Sequence, residues 1–250
     1  MDLRRKAVRA KSKTNGEVAD CATNPLTRLL SKSCLLGVVF CASIALAPSR
    51  AHAAMVTVVH GINGSDLGLA PSLPVDIAVN GSCAIKGVMF TQSTQVELGA
   101  GSYSITVHPA NGSCSAASVI KQTVTVPSSA RLIGLVANLS DTGSPQLAAF
   151  INDNEYAPSI TVNNAAANAP IFAGAGPARM IFYHGNPLGN GSGVMVLGGP
   201  GTRRLTVRLY RENARRPLFS EKIRLTTSRV YYVVGSKKSG LRVVVDVQRS

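Results

Sequence analysis

The chain consists mainly of short β-branched apolar runs separated by clusters of Gly, Pro, Asn and Ser. Runs of this length with turn residues every 8–12 positions are typical of an all-β sandwich. In residues 102–108, Tyr103, Ile105 and Val107 alternate with polar residues, so we expect one face of that strand to be buried. The sequence therefore predicts an all-β fold of antiparallel β-sandwich type. The predicted strands are 55–60, 75–80, 95–98, 102–108, 119–126, 131–138 and 146–151.

The first 53 residues have the layout of a secretory signal peptide. A basic, polar segment precedes an apolar run at 34–47, and Ala51-His52-Ala53 fits a small-x-small cleavage motif. The apolar run is shorter than the roughly 20 residues that span a bilayer. We predict cleavage between Ala53 and Ala54, export to the periplasm or to the cell exterior, and no transmembrane segment in the mature chain. A retained anchor and a translation start further downstream are the alternatives.

The remaining chain shows an internal repeat. Residues 179–185 echo 56–61, residues 199–210 align with 99–110, and residues 222–235 align with 123–137. The stretch 152–177 is rich in Ala, Asn, Gly and Pro, which is typical of a linker, with a strand at 159–162 (Ser-Ile-Thr-Val) as the alternative. We therefore expect tandem Ig-like sandwich modules: 54–151, a linker at 152–177, and a shorter basic module at 178–250.

A family resemblance rests on "VTVVHGINGSDLGLAPSLPVDIAVNG" (56–81) followed by "LGAGSYSITVHPANG" (98–112). These motifs resemble the secreted bacterial domain-of-unknown-function family 4397, which reads Val-Val-His-Ala-Ser-Pro, Pro-Ala-Val-Asp-Val-Tyr-Val-Asn-Gly and Ala-Gly-Thr-Tyr. The resemblance covers 55–151, with a weaker copy over 178–248, and the loop after His60 carries an insertion. It implies an exported immunoglobulin-like or transthyretin-like β-sandwich, often in tandem, and it implies no reaction.

Two cysteines remain after the predicted cleavage, and both close the same tetrapeptide, Asn-Gly-Ser-Cys. Asn-Gly favours tight hairpin turns, so Cys83 and Cys114 are each expected just past a turn at the edge of the sandwich. An even cysteine count in an exported chain favours a disulfide, which we predict between these two residues. The alternative is a pair of exposed thiols that reflects two similar hairpins.

Recognisable catalytic chemistry is absent from the sequence. It contains no Gly-x-Ser-x-Gly elbow, no HExxH and no Cys/His cluster at metal-binding spacing. His60, His108 and His184 are expected to be hydrogen-bonded at strand ends rather than to act as ligands, with His60 and His184 at equivalent places in the repeats. We predict no catalytic residue, cofactor or metal. Calcium at 152–155 and an enzyme with an unrecognised site are the alternatives.

The charge is concentrated in the C-terminal part: residues 158–250 hold fourteen Lys or Arg against three acidic residues. Strand alternation places Arg204, Arg208 and Tyr210 outward in one run and Lys222 and Arg224 outward in the next. If these runs pair as a hairpin, the four cations share one sheet face. The candidate polyanion-binding residues, including three at the predicted tip of the hairpin, are Arg204, Arg208, Arg211, Arg215, Arg216, Lys222 and Arg224.

Such a face attracts polyanions through its long-range field and through counterion release. Possible partners are an anionic polysaccharide, a lipid headgroup or an acidic protein. Nucleic acid is not expected, because the chain is predicted to be exported and aromatic residues make up only 5% of it. We therefore predict an exported, non-catalytic binding or structural module. An adhesive or scaffold protein that works through protein–protein contacts and a merely solvated basic face are the alternatives.

Overall fold

The computed structural model describes residues 53–153, 158–176, 182–183, 186–197 and 204–248. These residues form sixteen strands and one short 3-10 turn, Gly64–Leu67, so the predicted all-β class is confirmed. Apart from Ala53, the predicted signal peptide lies outside the described residues, as does His184. Within the described ranges, no helix has the length and hydropathy needed to cross a membrane.

The first sandwich contains eight strands in two sheets. One sheet has the order β4-β1-β7-β8 and the other has the order β3-β2-β5-β6. Side chains from the facing surfaces of the two sheets form a common apolar core that includes Val56, Ile77 and Leu135. The strands are β1 Ala54–His60, β2 Val75–Val79, β3 Ser82–Val88, β4 Ser93–Leu98, β5 Gly101–Pro109, β6 Ile120–Val126, β7 Leu132–Leu139 and β8 Pro145–Ile151.

The second sandwich repeats this topology strand for strand. Its sheets have the orders β12-β9-β15-β16 and β11-β10-β13-β14, and their core includes Val162, Leu209 and Tyr231. The strands are β9 Ser159–Asn164, β10 Ile171–Gly176, β11 Phe182–Tyr183, β12 Ser192–Leu197, β13 Arg204–Arg211, β14 Phe219–Arg224, β15 Arg229–Ser236 and β16 Gly240–Val247.

The predicted linker at 152–177 is wrong, because β9 and β10 lie inside it and belong to the core of the second sandwich. Ile160, Val162 and Ile171 are at most 2% exposed. The Ala- and Asn-rich composition reflects close packing: Ala165 and Ala166 are fully buried, and the Asn164 side chain bonds to backbone groups. The second sandwich therefore begins at β9 and not at residue 178.

The strands are not all antiparallel. In each sandwich the first strand runs parallel to the seventh, β1 to β7 and β9 to β15, while every other named strand pair is antiparallel. The reason is topological. The chain crosses between the two sheets of a sandwich before it returns beside its first strand.

The two sandwiches are stacked through their β1- and β9-containing sheets, which we call the inner sheets. A third apolar cluster lies between them and includes Val136, Phe150 and Tyr232. Hydrogen bonds also cross this interface, from Thr57 Oγ1 to Asp246 Oδ2 (2.7 Å) and from Asn152 Nδ2 to the Tyr232 hydroxyl (2.9 Å). The β2- and β10-containing sheets are therefore outermost, and we call them the outer sheets.

The equivalent positions of the two repeats follow from matching backbone hydrogen bonds. Thr91 N donates to His60 O in the first sandwich, and Gly191 N donates to Asn164 O in the second. The equivalent of His60 is thus Asn164 and not His184. The predicted match of 179–185 with 56–61 is wrong, because β11 lies at the end of an outer sheet, beside β10.

Candidate polyanion-binding face

The disulfide between Cys83 and Cys114 is confirmed, with the two Cα atoms 5.6 Å apart. It joins β3 to the loop after β5, so it ties together two elements of the first outer sheet. Asp76 lies beside it, and its ligand-type oxygen is within 4.8 Å of both sulfurs. The two sulfurs are bonded to each other, and the Asp76 carboxylate accepts backbone hydrogen bonds. The disulfide and these hydrogen bonds account for the grouping of Asp76 with the two cysteines.

Asp76 is fully buried, and its carboxylate organises the second Asn-Gly-Ser-Cys loop. It accepts hydrogen bonds from the backbone N–H groups of Gly87 (2.8 Å), Asn111 (2.9 Å) and Gly112 (2.7 Å). Burial alone would raise the pKa of Asp76, but the backbone N–H donors outweigh it and hold the pKa below its ordinary value. The carboxylate therefore acts as an internal anion that fixes the loop.

The two described histidines have structural partners. His60 Nε2 donates to Leu73 O at 2.8 Å, and burial lowers the pKa of His60, so the ring stays neutral near neutral pH. His108 lies 2.6 Å from Ala116 O through Nδ1 and 2.8 Å from the Thr106 hydroxyl through Nε2. Neither ring has a carboxylate among its hydrogen-bond partners, so neither resembles a general acid or base oriented by an acidic residue.

The described residues of the stretch considered as an alternative calcium site, 152–155, also have other partners. Asn152 Oδ1 accepts from Asn163 Nδ2 at 2.8 Å, while Asp153 Oδ1 accepts from Arg131 N at 2.8 Å and from Leu132 N at 2.6 Å. Residues 154–155 lie outside the described part of the chain. Asn152 Oδ1 therefore contributes to the interface between the sandwiches, and Asp153 Oδ1 holds the start of β7.

The basic residues of the second outer sheet come together on its solvent side. β13 and β14 form the expected antiparallel hairpin, in which Arg204 lies opposite Arg224 and Thr206 opposite Lys222. The alternate residues of β13, Val207 and Leu209, are fully buried in the core. A surface recess of about 430 Å³ lies over the strands here, and its lining consists of Arg204, Leu205, Thr206, Lys222, Ile223 and Arg224.

The cations of this face have no acidic partner among the described residues. In that part of the chain the one ion pair joins Arg229 to Glu221, with 2.6 Å between Nη1 and Oε1. Glu221 is further committed to the Tyr231 hydroxyl, which donates to Oε2 at 2.8 Å. Like charges directly opposite each other destabilise a strand pair. The Arg204–Arg224 pair is therefore unfavourable in itself, and no acidic side chain of the described hairpin neutralises it.

The first sandwich shows that the fold does not require these charges. Ala110 N donates to Pro74 O and Glu212 N donates to Pro170 O, which aligns the fifth strands of the two repeats. By this alignment Ser102 and Thr125 occupy the places of Arg204 and Arg224, and Ser104 and Thr123 those of Thr206 and Lys222. The hydroxyls of Ser102 and Thr125 lie 3.4 Å apart. One outer sheet thus presents small hydroxyls where the other presents cations.

An aromatic pair borders the cationic face; strand alternation predicted the outward position of Tyr210 but not its partner, Phe172. Phe172 on β10 lies opposite Tyr210 on β13. Ile171 and Ala173 point into the core, so Phe172 faces outward, and it is half-buried like Tyr210. Phe172 was missed because it falls inside the expected linker.

Three of the seven candidate cations do not share this face. Arg211 ends β13 on the same side of the strand as the buried Leu209, so it points toward the open end of the sandwich. Arg215 and Arg216 are exposed in the turn between β13 and β14. The face proper therefore consists of Arg204, Arg208, Lys222 and Arg224, which we call the cationic face.

No protein-family model matches the sequence, and no curated protein matches it significantly. Twelve chains of solved structures match, and two of them illustrate how weak the similarity is. One is a family CBM26 module, CBMbc, from Eubacterium rectale Amy13K in complex with maltoheptaose, at 10% identity over 78% of this chain and 98% of that chain, with a TM-score of 0.25. The other is SpuA, a multi-modular glycogen-degrading pneumococcal virulence factor, at 9% identity over 78% of this chain and 22% of that chain, with a TM-score of 0.26. Similarity this weak carries no functional conclusion.

Proposed function

We propose that this protein is an exported, non-catalytic binding protein that attaches to an anionic polysaccharide through the cationic face. The observation that carries the proposal is the Arg204–Arg224 pair, with Lys222 beside it and no acidic partner among the described residues. An external anion would relieve this repulsion. An acidic group that lies between two of the cations is attracted to both, and this attraction offsets the repulsion between them.

The aromatic pair favours a polysaccharide over the other polyanions considered. A sugar chain combines acidic groups with apolar ring faces, and the rings of Phe172 and Tyr210 offer an apolar surface beside Arg208, at the other end of β13 from Arg204. A phosphate headgroup or a carboxylate side chain by itself presents no such ring face. Export is supported by the Cys83–Cys114 disulfide, since disulfides persist in oxidising compartments.

The test replaces the cations with the residues that the first sandwich uses. The face variant carries Arg204→Ser, Lys222→Thr and Arg224→Thr. The control variant removes three charges from exposed positions of the first sandwich, Lys86→Thr, Lys121→Ser and Arg131→Thr. Both changes remove the same charge, so a loss that only the face variant shows reports the face itself.

The full chain, purified under oxidising conditions, is titrated with polygalacturonate at two salt concentrations. Neutral dextran and phosphatidylglycerol vesicles are the comparison ligands. We expect salt-sensitive binding to polygalacturonate that the face variant loses and the control variant keeps. Equal binding by both variants, or no binding by the native chain, would refute the proposal. Binding to the vesicles alone would replace the polysaccharide with a lipid surface.

A further inference from the structure

A second recess, of about 210 Å³, opens at one end of the second sandwich, on the core side of β13 rather than on the cationic face. Arg211 enters it from the outer sheet, and Lys237 enters it from the turn between β15 and β16. We call it the end recess. Its lining consists of Asn168, Ala169, Pro170, Arg211, Glu212, Asn213, Lys237 and Leu241.

The backbone around the end recess is held on each side. Asn168 N donates to Asp141 Oδ1 at 2.7 Å, and Asn168 Nδ2 donates to Asp141 O at 2.5 Å. Glu212 N donates to Pro170 O at 3.3 Å, and Lys237 N donates to Ala167 O at 3.2 Å. Because these bonds lie within the protein, the recess is formed before any ligand arrives, as is usual for small-molecule sites.

The lining combines two cations with an apolar floor. Leu241 is 3% exposed and forms part of the core, and the half-buried Ala169 packs against that core. Neither Arg211 nor Lys237 has an ion-pair partner among the described residues. Glu212 is the one acidic residue of the lining, so two cations and one carboxylate line the end recess.

The first sandwich again shows that these charges are not a requirement of the fold. Gly61 N donates to Ala137 O and Ala165 N donates to Val233 O, so Ala137 and Val233 are equivalent. The turns that follow have equal length between the paired residues Leu139 and Pro145 and between Gly235 and Leu241. Asp141 is therefore the equivalent of Lys237. By the alignment of the fifth strands, Pro109 is the equivalent of Arg211. The first sandwich therefore has a proline and a carboxylate where the second has two cations.

We propose that the end recess binds the carboxylate or phosphate group of a small sugar-like molecule, with Arg211 and Lys237 as the counter-charges. The volume lies below the roughly 300 Å³ at which drug-sized sites begin, so it suits one ring and not a chain. The apolar floor takes the ring, and the two cations take the acidic group. This site is independent of the cationic face, because Arg211 lies on the other side of β13.

The experiment titrates the full chain with glucuronate, with glucose 6-phosphate and with neutral glucose, by calorimetry. We expect one or both acids to bind and glucose not to bind. Arg211→Gln and Lys237→Gln should each weaken binding about tenfold. Glu212→Gln should strengthen it about twofold or more, because a repelling carboxylate is removed. Binding of glucuronate alone assigns a carboxylate, and binding of glucose 6-phosphate alone assigns a phosphate.

The face variant is the matched control, since it removes three cations outside the end recess and should leave the affinity for the small acids unchanged. Absence of binding to both acids, equal binding of glucose, or insensitivity to Arg211→Gln and Lys237→Gln would overturn the proposal. If the native chain did not bind polygalacturonate, the proposal for the cationic face would be refuted and the proposal for the end recess would not be affected.

Discussion

The hydroxyl of Tyr232, from the second sandwich, occupies the space that a side chain on Gly134 of the first sandwich would need. A Cβ atom at position 134 would overlap the phenol ring, so this glycine is required by close approach rather than by backbone conformation. Burial, together with the nearby Asp246 carboxylate, raises the pKa of Tyr232, and Asn152 donates to its hydroxyl at 2.9 Å. The Tyr232 side chain is therefore held in place at the contact between the two sandwiches, and its hydroxyl stays protonated.

Gly134→Ala should destabilise the protein by about 1–3 kcal/mol, because it overpacks a closed interface. Urea unfolding measures the loss. Gly189→Ala is the control, since the nearest atom to a Cβ there is 3.8 Å away. Stability of Gly134→Ala equal to that of Gly189→Ala would show that the sandwiches do not pack as described.

Removing the disulfide with Cys83→Ser and Cys114→Ser together should cost about 3–4 kcal/mol, because the bridge closes a loop of about 30 residues in the unfolded chain. The free energy of unfolding in urea is the measurement. Adding a reductant to the native chain should produce the same loss and should leave the double variant unchanged. A native chain that is insensitive to reductant would contradict the prediction.

Asp76→Asn should lower the free energy of unfolding by about 1–3 kcal/mol at neutral pH, because the buried N–H groups lose a charged acceptor. The pKa of Asp76 is depressed in the folded state from 3.8, so its contribution is present above about pH 4 and is lost as the pH falls through the folded pKa. The difference between the native chain and the variant should shrink on acidification. Glu97→Gln, at an exposed position, is the control and should show no such difference in stability. If the stability difference between the native chain and Asp76→Asn did not change with pH, the assigned role of the Asp76 carboxylate would be wrong.

His60→Asn copies the second sandwich, where Asn164 Nδ2 donates to Ala169 O at 3.0 Å as His60 Nε2 donates to Leu73 O at 2.8 Å. Burial lowers the pKa of His60, so the unfolded chain binds a proton more readily than the folded one below about pH 6.5. The native chain should therefore lose stability as the pH falls from 6.5 toward the folded pKa of His60. The variant should lose less over this range. If the free energies of unfolding of the native chain and the variant fell in parallel with pH, another group would be responsible for the acid sensitivity.

The exported protein should begin at Ala54, which intact-mass measurement on the secreted or periplasmic fraction will show. Ala54 is already fully buried as the first residue of β1, so cleavage before it leaves the sandwich complete. A mass that retains residues ahead of Ala53 would support an anchor or a different processing site.

The first sandwich was largely predictable because its strands alternate or are β-branched. The seven predicted segments correspond to β1, β2, β4, β5, β6, β7 and β8 within a few residues. β3 was missed since Ser82–Val88 contains Gly87 and Lys86 and exposes most of its residues, which weakens the apolar pattern. The disulfide was also predictable, from the paired Asn-Gly-Ser-Cys turns.

The second sandwich was less predictable, because loop-type residues follow or interrupt the apolar residues of its first two strands. β9 ends in two asparagines whose amides satisfy buried groups, and β10 packs through Ala173 and Ala175. The sharing of one face by Arg204, Lys222 and Arg224 followed from strand alternation. The position of Arg211 did not, because it depends on where β13 ends relative to the core.

Stacking the sandwiches through their inner sheets gives the molecule two unlike ends. Adjacent sheets lie ~10 Å apart, so the hydroxyl-bearing sheet and the cationic sheet are separated by about 30 Å of packed protein. A molecule held on an acidic polymer by its cationic side would point Ser102, Ser104, Thr123 and Thr125 away from it. A layer of such molecules would then cover the acidic surface with one that is rich in hydroxyl groups.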